Sequence, residues 1–240
     1  MSLPLNSVEL FTGAGGLALG LEKVGCHHLA MVEFNAQACD TIRYNVSNGQ
    51  SLAKDWTLYQ SDVRAIKYDE IVKSVELVAG GPPCQPFSMG GKARGRMDSR
   101  DMFPEAVRAV RELQPRYFVF ENVKGLVTKK FIDGFRKWQA RLDSLGYSNF
   151  AQILNAKDYG VPQNRERIFM ISILRTEDEP HPSYFFPKKI KLEKRIKDIL
   201  EPTVDESFYL SDKALEYFCR VNNDKTHCHN FTPKDGYYGC

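Results

Sequence analysis

Residues 75–88, VELVAGGPPCQPFS, join an apolar run to a stiff, non-helical loop that carries a single cysteine. The run 75–79 has the length and apolar character of a buried strand. Gly80 and Gly81 permit a turn or a close backbone approach, and the two prolines after them fix φ and lack N–H donors. A loop at a strand end is where α/β folds place their chemistry, so Cys84 is a candidate nucleophile. The alternative is a cysteine that only fills space in the interior, which is the commoner use of a single cysteine.

Apolar runs typical of strands alternate with helical patterns through most of the chain. The predicted strands are residues 7–11, 29–32, 75–79, 117–120, 150–154 and 168–174, with a short one closing at 60–63, and the predicted helices are 17–24, 35–44, 103–113 and 131–145. This alternation predicts an α/β fold with a doubly wound, mostly parallel sheet and helices on both faces, as in Rossmann-like domains. Open sheets of this kind bind ligands at the shared carboxyl edge of their strands. The residues expected at that edge are Gly13, Glu33, Asp62, Cys84 and Glu121.

The region after residue 175 differs in character, so the chain is divided into a domain 1–175 and a remainder 176–240. Residues 176–187 are rich in proline and acids and are interpreted as a connector. Helices are predicted at 189–200, where basic and apolar residues alternate at helical spacing, and at 212–221. The metal-capable side chains near the end are Cys219, His227, Cys228, His229 and Cys240. Their spacing fits no zinc site, so no metal site is predicted.

Composition narrows the class of protein. The 240 residues include six cysteines and carry a net charge of +3. Scattered cysteines favour free thiols in a reducing cytoplasm, no apolar run approaches the ~20 residues of a membrane span, and so small a net charge does not by itself indicate a nucleic-acid partner. Local basic clusters comprise Lys92, Arg94, Arg96 and Arg100; Arg165 and Arg167; and residues 188–197. Solvated surface is the alternative for each, least so for the first cluster, which follows Cys84 in a glycine-containing loop.

The first predicted strand runs into a glycine turn, TGAGG at residues 12–16, before a helix. Strand, turn and helix N-terminus together form a cradle for an anion or a cofactor. The glycines do not match the G-x-G-x-x-G dinucleotide pattern, because position 18 is Ala18. Glu33, 20 residues beyond Gly13, could accept hydrogen bonds from ribose hydroxyls or could be an acid that precedes a helix. Asp62 could accept from an adenine amino group or could cap the turn that follows it.

Four motifs, in this order, resemble those of the cytosine-C5 DNA methyltransferases. FTGAGG at residues 11–16 resembles their S-adenosylmethionine loop, and residues 80–88 resemble their Pro-Cys nucleophile motif. ENV at 121–123 and QNRER at 163–167 resemble their catalytic Glu-Asn-Val and Gln-x-Arg-x-Arg motifs. The match spans roughly residues 7–175, and the last three motifs are specific where the glycine loop alone is not. The resemblance implies a Rossmann-like, S-adenosylmethionine-dependent methyltransferase of bacterial restriction-modification type, working at the nucleoid in the cytoplasm.

The resemblance implies a covalent mechanism on a cytosine base. As a thiolate, Cys84 adds to C6, because C5 alone is a poor nucleophile. Glu121 protonates or hydrogen-bonds N3, for which a raised pKa suits it. Arg167 holds the base O2 and Glu121, and Arg165 assists in the same pocket, where positive charge favours the thiolate. C5 then attacks the methyl group of S-adenosylmethionine, and loss of the C5 proton expels Cys84.

The resemblance also implies binding sites for the cofactor and for double-stranded DNA. The residues implied at the cofactor are Phe11, Gly13, Gly15, Gly16, Leu17, Glu33, Asp62, Val63, Pro83 and Met102. Among them Phe11 stacks on the adenine, Glu33 takes the ribose hydroxyls, and Asp62 meets the adenine edge. The target base must leave the duplex to expose C5 and C6, and the loop 90–101 closes over it. The residues implied near the DNA are Ser88, Arg94, Arg96, Arg100 and Gln163.

One part of the family pattern is not found. Family members continue through a target-recognition region to a final Gly-Asn motif, and no Gly-Asn pair follows Leu174. The resemblance thus makes residues 1–175 the catalytic and S-adenosylmethionine-binding domain, and residues 176–240 a connector and the start of a truncated target-recognition region. The chain is therefore expected to be a fragment, or one subunit of a split enzyme whose partner polypeptide supplies the rest, and to have little activity alone. Three other functions stay open: an RNA (tRNA) cytosine-C5 methyltransferase, a non-catalytic partner subunit with the same fold, and a nicotinamide-dependent oxidoreductase.

Overall fold

The computed structural model describes residues 5–49, 55–83, 102–203, 205, 211, 213 and 238–239. By the density of their internal contacts the chain falls into two units. The first consists of Met1–Ile153 with Arg167–Phe186, and the second of Leu154–Glu166 with Pro187–Cys240. The domain boundary predicted at residue 175 separates parts with different roles. Contact density does not test such a boundary, so it stays a prediction.

Most of the strands belong to one sheet. In chain order the strands of the described residues are β1 Asn6–Leu10, β2 His27–Glu33, β3 Leu58–Gln60, β4 Leu77–Gly80, β5 Tyr117–Val123, β6 Tyr147–Asn155, β7 Gln163–Asn164, β8 Glu166–Leu174 and β9 Tyr238–Gly239. Seven of them form a sheet in the order β3-β2-β1-β4-β5-β8-β6. Neighbours from β3 to β5 pair in parallel, whereas β5 and β8 are antiparallel. In the second unit β7 and β9 form a separate parallel pair.

Helices cover both faces of the sheet. They are α1 Gly16–Lys23, α2 Ala36–Ser47, α3 Tyr68–Ile71, α4 Phe103–Leu113 and α5 Ile132–Ser144. Successive side chains of a strand point to opposite faces. On β2, Val32 packs into the cluster that contains Phe103 of α4, and Met31 packs with Ala18 of α1 and Ile42 of α2. The mostly parallel, doubly wound α/β class predicted from the alternation of patterns is therefore confirmed.

The central strands are buried, and their packing explains the first glycine after the apolar run. Phe118 and Phe120 of β5 have no exposed surface, and all four residues of β4 are buried. A Cβ atom on Gly80 would lie 2.8 Å from the backbone oxygen of Leu10, so β4 can end beside β1 only with a glycine at this position.

The helix predicted at 189–200 is wrong. The structure has there a single 3-10 turn, Ile196–Asp198, in an otherwise irregular segment. A short helix needs an apolar stripe that packs against something, but Ile190 and Ile199 are 57% and 55% exposed. Basic residues three and four positions apart would also repel one another on a helix. The backbone instead pairs locally: the Ile190 N–H donates to the carbonyl oxygen of Asp158 at 2.9 Å.

The helix predicted at 212–221 and the cysteine and histidine group near the end lie almost wholly outside the described residues. Within the ranges that the structure describes, no three His, Cys, Asp or Glu side chains are placed to hold a metal ion together. In the same ranges, no helix combines the length and apolar character needed to cross a bilayer.

Candidate functional site

A cavity of about 490 Å³ opens at the carboxyl edge of the sheet in the first unit. Its walls are formed by the ends of four neighbouring parallel strands, β1 to β4, and by the residue before α4. They are Phe11, Val32, Glu33, Phe34, Asn35, Ser61, Asp62, Val63, Arg64, Gly81, Pro83 and Met102. Parallel strands bring residues far apart in the sequence to one edge, and a volume of this size is typical of small-molecule sites.

Many of the residues predicted at a cofactor lie around this cavity. Those in its walls are Phe11, Glu33, Asp62, Val63, Pro83 and Met102. The remaining predicted residues, Gly13, Gly15, Gly16 and Leu17, lie in the turn before α1 or in its first turn, and they do not appear among the described wall residues. The structure thus brings the first group together, and the contact of either group with a cofactor stays a prediction.

The turn after β1 has an unusual backbone. Phe11 has φ +56°, in the left-handed region that residues other than glycine rarely adopt. Gly15 has φ +90°, and a Cβ there would lie 2.8 Å from the Trp56 ring. Backbone strain of this kind concentrates at ligand sites. The left-handed φ values of Phe11 and Gly15 define the shape of the turn, and Phe11 lies in the cavity wall.

Glu33 connects the turn after β1 with the turn after β2. Its Oε2 accepts from the Gly13 N–H at 2.7 Å, and its Oε1 accepts from the N–H groups of Phe34 at 2.9 Å and Asn35 at 2.7 Å. Asn35, rather than Glu33, caps α2, because its Oδ1 accepts from the Ala38 N–H at 2.9 Å. Three bonds leave one acceptor position on Oε2, so Glu33 can receive one more donor from a molecule in the cavity.

Asp62 caps the turn that follows β3. Its Oδ1 accepts from the backbone N–H of Arg64 at 2.9 Å, as the capping alternative predicted. The same carboxylate also pairs with the Arg64 guanidinium, at 2.5 Å between Oδ2 and the nearest nitrogen. Hydrogen bonds from Arg64 lower the pKa of Asp62, so this wall of the cavity carries a stable negative charge beside a positive one.

A glutamate, an arginine and a glycine lie close together at the end of β5. The Arg167 Nε lies 3.1 Å from Glu121 Oε1, and both side chains are about three-quarters buried (24% and 26% exposed). A Cβ on Gly81 would lie 3.1 Å from Glu121 Oε2, which explains the second glycine after β4. Because Gly81 also forms part of the cavity wall, Glu121 stands directly beside the cavity. A carboxyl group and a guanidinium group so placed can exchange a proton with, and donate a hydrogen bond to, a polar ring.

Asn122 holds the loop that leads toward Cys84. Its Nδ2 donates to the Pro82 carbonyl oxygen at 3.0 Å, and its Oδ1 accepts from the Val123 N–H at 2.8 Å. The Asn122 side chain is buried (6% exposed). The strand that carries Glu121 therefore also fixes the backbone two residues before Cys84.

Other predicted site residues belong to the second unit or fall outside the described residues. In the second unit Gln163 begins β7, and Arg165 is exposed, with its N–H donating to Asn155 Oδ1 at 3.1 Å and its carbonyl oxygen accepting from Ala156 at 3.0 Å. The predicted nucleophile and the predicted DNA contacts in the loop after it fall outside the described residues. These are Cys84, Ser88, Arg94, Arg96 and Arg100.

Several residues of the cavity wall were not predicted from the sequence. Phe34 is 73% exposed, an unusual state for a phenylalanine. Its place directly after an apolar strand and an acid could have marked it. Arg64 gives no such signal, because an arginine in a polar turn is ordinarily solvated. It reaches the wall only through its pairing with Asp62.

The chain matches the family model described as C-5 cytosine-specific DNA methylase over residues 5–237. It is similar to the type II methyltransferase M.NgoMIV of Neisseria gonorrhoeae, with 39% identity over 171 residues, which cover 71% of this chain and 52% of that protein. It is also similar to the type II methyltransferase M1.HphI of Haemophilus parahaemolyticus, with 41% identity over 70% of this chain and 46% of the relative. The chain thus spans about half the length of these relatives.

Among solved structures, a variant of DNMT2 from Spodoptera frugiperda has the same fold. It superposes with a TM-score of 0.69 at 22% identity, covering 90% of this chain and 65% of that one. Similarity at this level of identity concerns the fold alone.

Proposed function

The chain belongs to the C-5 cytosine-specific DNA methylase family, and from this premise we propose that it transfers a methyl group from S-adenosylmethionine to C5 of cytosine in DNA. The observation that carries the proposal is the position of Glu121. This acid pairs with Arg167 at 3.1 Å and lies 3.1 Å from where a Cβ on Gly81 would be, and Gly81 is also part of the wall of the 490 Å³ cavity. An acid for the base and a cavity for the methyl donor therefore share one boundary.

The cavity fits the cofactor. Glu33 keeps one acceptor position free, as a ribose hydroxyl requires. Phe11 and Phe34 offer aromatic surface, and Asp62 offers a carboxylate at the same wall. When bound, S-adenosylmethionine supplies a methyl group on a positively charged sulfur. Glu33, Asp62 and the two phenylalanines would hold its adenosine part in this proposal.

On the base, the proposal assigns one role to each residue. The Cys84 thiolate forms a bond to C6, and Glu121 protonates N3 as electrons move toward it. Arg167 donates to O2 of the base and keeps Glu121 in place, since both contacts can be made from its fork of N–H groups. After C5 has taken the methyl group, water accepts the C5 proton, the bond between sulfur and C6 breaks with its electrons returning to the Cys84 thiolate, and N3 gives its proton back to Glu121. Arg165 supports the same base pocket in this proposal.

The target cytosine is flipped out of the duplex, because C5 and C6 are inaccessible within the base stack. The basic loop after Cys84, with Arg94, Arg96 and Arg100, contacts the phosphates in this proposal. A second polypeptide that completes DNA recognition stays part of the proposal, as does a role in restriction-modification at the nucleoid. The names of the type II methyltransferases that the chain resembles support the role in restriction-modification, and the half of their length that it does not cover is the reason for proposing a second polypeptide.

Transfer of a radiolabelled methyl group tests the proposal. We expect label in duplex DNA that contains cytosine in all sequence contexts, and none with the Cys84→Ser variant. The assay uses the chain alone, for which little label is expected, and the chain mixed with the part of M.NgoMIV that the match does not cover. Label in tRNA but not in DNA would favour the RNA alternative. Binding of NAD without binding of S-adenosylmethionine, measured by calorimetry, would favour an oxidoreductase.

A further inference from the structure

Arg64 occupies the acceptor that an adenine amino group needs. It lies two residues after Asp62 and shares the cavity wall with it. Asp62 Oδ1 accepts from the Arg64 backbone N–H at 2.9 Å and from its Nε at 2.9 Å. Asp62 Oδ2 accepts from the same Nε at 3.1 Å and from a terminal nitrogen at 2.5 Å.

These contacts engage both oxygens of the carboxylate. An ionised carboxyl group has about four lone-pair positions; the backbone N–H and a terminal nitrogen of Arg64 each take one, and the single Nε–H is shared between the two oxygens. A further donor therefore has to displace the Nε–H from the oxygen that it approaches. An amino group at the purine edge and the Arg64 side chain thus compete at this carboxylate.

The exchange is easy because the pair is exposed. The Arg64 and Asp62 side chains are 56% and 31% exposed, so water can replace each partner of a broken bond. Hydrogen bonding and the charge of Asp62 raise the pKa of Arg64, with a smaller contribution from Glu105. Glu105 already pairs with Arg108 at 2.7 Å, so it does not hold Arg64 away from Asp62.

We propose that Arg64 competes with the purine amino group for Asp62, and that it thereby weakens and broadens recognition of the adenine ring in this cavity. This inference rests on the proposed function, since it takes the cavity to be the cofactor site. Competition makes Arg64 a specificity-determining residue that acts through Asp62. It predicts that loss of the guanidinium group tightens binding, which is the reverse of what loss of a direct contact does.

Calorimetry with S-adenosylhomocysteine tests this on the 240-residue chain. We expect Arg64→Ala to lower Kd by about three- to five-fold, the range an exposed ion pair can supply, and Arg64→Lys to be intermediate because a lysine cannot form the fork. The matched control is Lys67→Ala. Lys67 forms an exposed ion pair with Glu70 at 2.8 Å in the same segment, outside the described cavity wall, so its loss leaves Kd unchanged.

Salt and a second ligand give independent readouts. Raising NaCl from about 50 mM to about 300 mM screens the exposed pair, so Kd of the wild type should approach that of Arg64→Ala. The 6-deaminated analogue of S-adenosylhomocysteine has no amino group to compete. We expect it to bind the wild type and Arg64→Ala equally, so that the variant discriminates more sharply between the two ligands.

The outcomes separate the two proposals. A gain in affinity confined to the ligand with the amino group supports the competition. Equal or weaker binding of S-adenosylhomocysteine by Arg64→Ala overturns it, and leaves the proposed function standing as long as the wild type binds. Failure of the wild type and all variants to bind, with unchanged melting temperatures, overturns both.

Discussion

Asn122 donates a hydrogen bond of 3.0 Å to the carbonyl oxygen of Pro82, joining β5 to the loop that leaves β4. The bond connects the strand that carries Glu121 with the backbone two residues before Cys84. Pro83, which lies between Pro82 and Cys84 in the sequence, forms part of the cavity wall. The buried Asn122 amide therefore connects the strand of Glu121 with the cavity wall and with the backbone that leads to Cys84.

Replacement of Asn122 by alanine removes that link. We expect Asn122→Ala to lower the free energy of unfolding by about 1–3 kcal/mol, since it leaves buried partners unsatisfied. We also expect kcat for methyl transfer to fall, because the backbone at Pro82, two residues before Cys84, is no longer held to β5. Urea unfolding and single-turnover methyl transfer measure the two effects.

Asn149→Ala is the matched control. Asn149 also makes two side-chain hydrogen bonds, donating to the Gln139 carbonyl oxygen at 3.1 Å and accepting from Ser172 at 2.7 Å, but it lies on β6 away from the cavity. It should reduce stability and leave kcat of the folded protein unchanged. An equal loss of kcat in both variants would show that Asn122 matters only for folding.

Gly81 tests how closely the loop must approach the acid. In Gly81→Ala the added Cβ would lie 3.1 Å from Glu121 Oε2 and 3.4 Å from its backbone oxygen, so the carboxyl group must move by a few tenths of an ångström. Misplacement by ~1 Å costs on the order of 100-fold in rate, and we expect a loss of about ten-fold in kcat. Gly20→Ala is the control, because no atom lies within 4 Å of a Cβ at this position of α1. An unchanged rate for Gly81→Ala would contradict the geometry.

The Glu33→Gln variant tests whether Glu33 contributes to cofactor binding rather than only to the stability of the fold. An amide nitrogen cannot accept from an N–H, so the variant loses either the bond from Gly13 or those from Phe34 and Asn35. We expect Kd for S-adenosylhomocysteine to rise about ten-fold, since the variant breaks the link between the two turns and replaces a charged acceptor of the ribose hydroxyl by a neutral one. The control is Glu76→Ala, which removes the acceptor for the Asn6 N–H, at 2.8 Å. That control should destabilise the sheet and leave Kd as it is.

Glu9 predicts a pH dependence of stability. It lies beneath α1 with 1% of its surface exposed. Burial raises its pKa from 4.5 to about 8, and a hydrogen bond from the Ala18 backbone opposes the shift. The folded protein therefore holds this proton more tightly than the unfolded chain, so the free energy of unfolding falls as pH rises from about 4.5 to about 8 and levels off above.

Glu9→Gln stays neutral and should lose that slope, which is at most about 1.4 kcal/mol per pH unit for one proton. Urea unfolding across this pH range measures it, with Glu70→Gln as an exposed control (63% exposed in the wild type). The same slope in Glu9→Gln as in the wild type would assign the dependence to other groups.

The sequence predicts best where burial decides the structure. Apolar runs predict the strands of the sheet, and the α4 pattern gives Phe103–Leu113 with both ends correct. Local pattern fails at 189–200, because helical spacing does not show whether anything covers the apolar stripe. It also cannot reveal that β8 runs antiparallel to β5, since both directions give the same alternation of side chains.

For the candidate site, strand ends predict which residues converge but not what they bond to. The position of Glu33 at the end of β2 follows from its apolar run. Its bond to Gly13 depends on how the chain crosses between β1 and β2, which no local pattern encodes. From the sequence alone, an arginine two residues after Asp62 could equally well be solvated. The fold shows that Arg64 pairs with Asp62 and that both side chains lie in the cavity wall.

The central claim is that Cys84 forms a covalent bond to the target base beside Glu121. The direct test is incubation with duplex DNA containing 5-fluorocytosine and with S-adenosylmethionine. Fluorine replaces the C5 hydrogen whose loss as a proton would release Cys84, so the covalent adduct persists. Mass spectrometry of the digested protein should find the nucleotide on Cys84, less of it in Glu121→Gln and none in Cys84→Ser. An adduct that persists in Cys84→Ser, or that maps to another residue, would contradict the account.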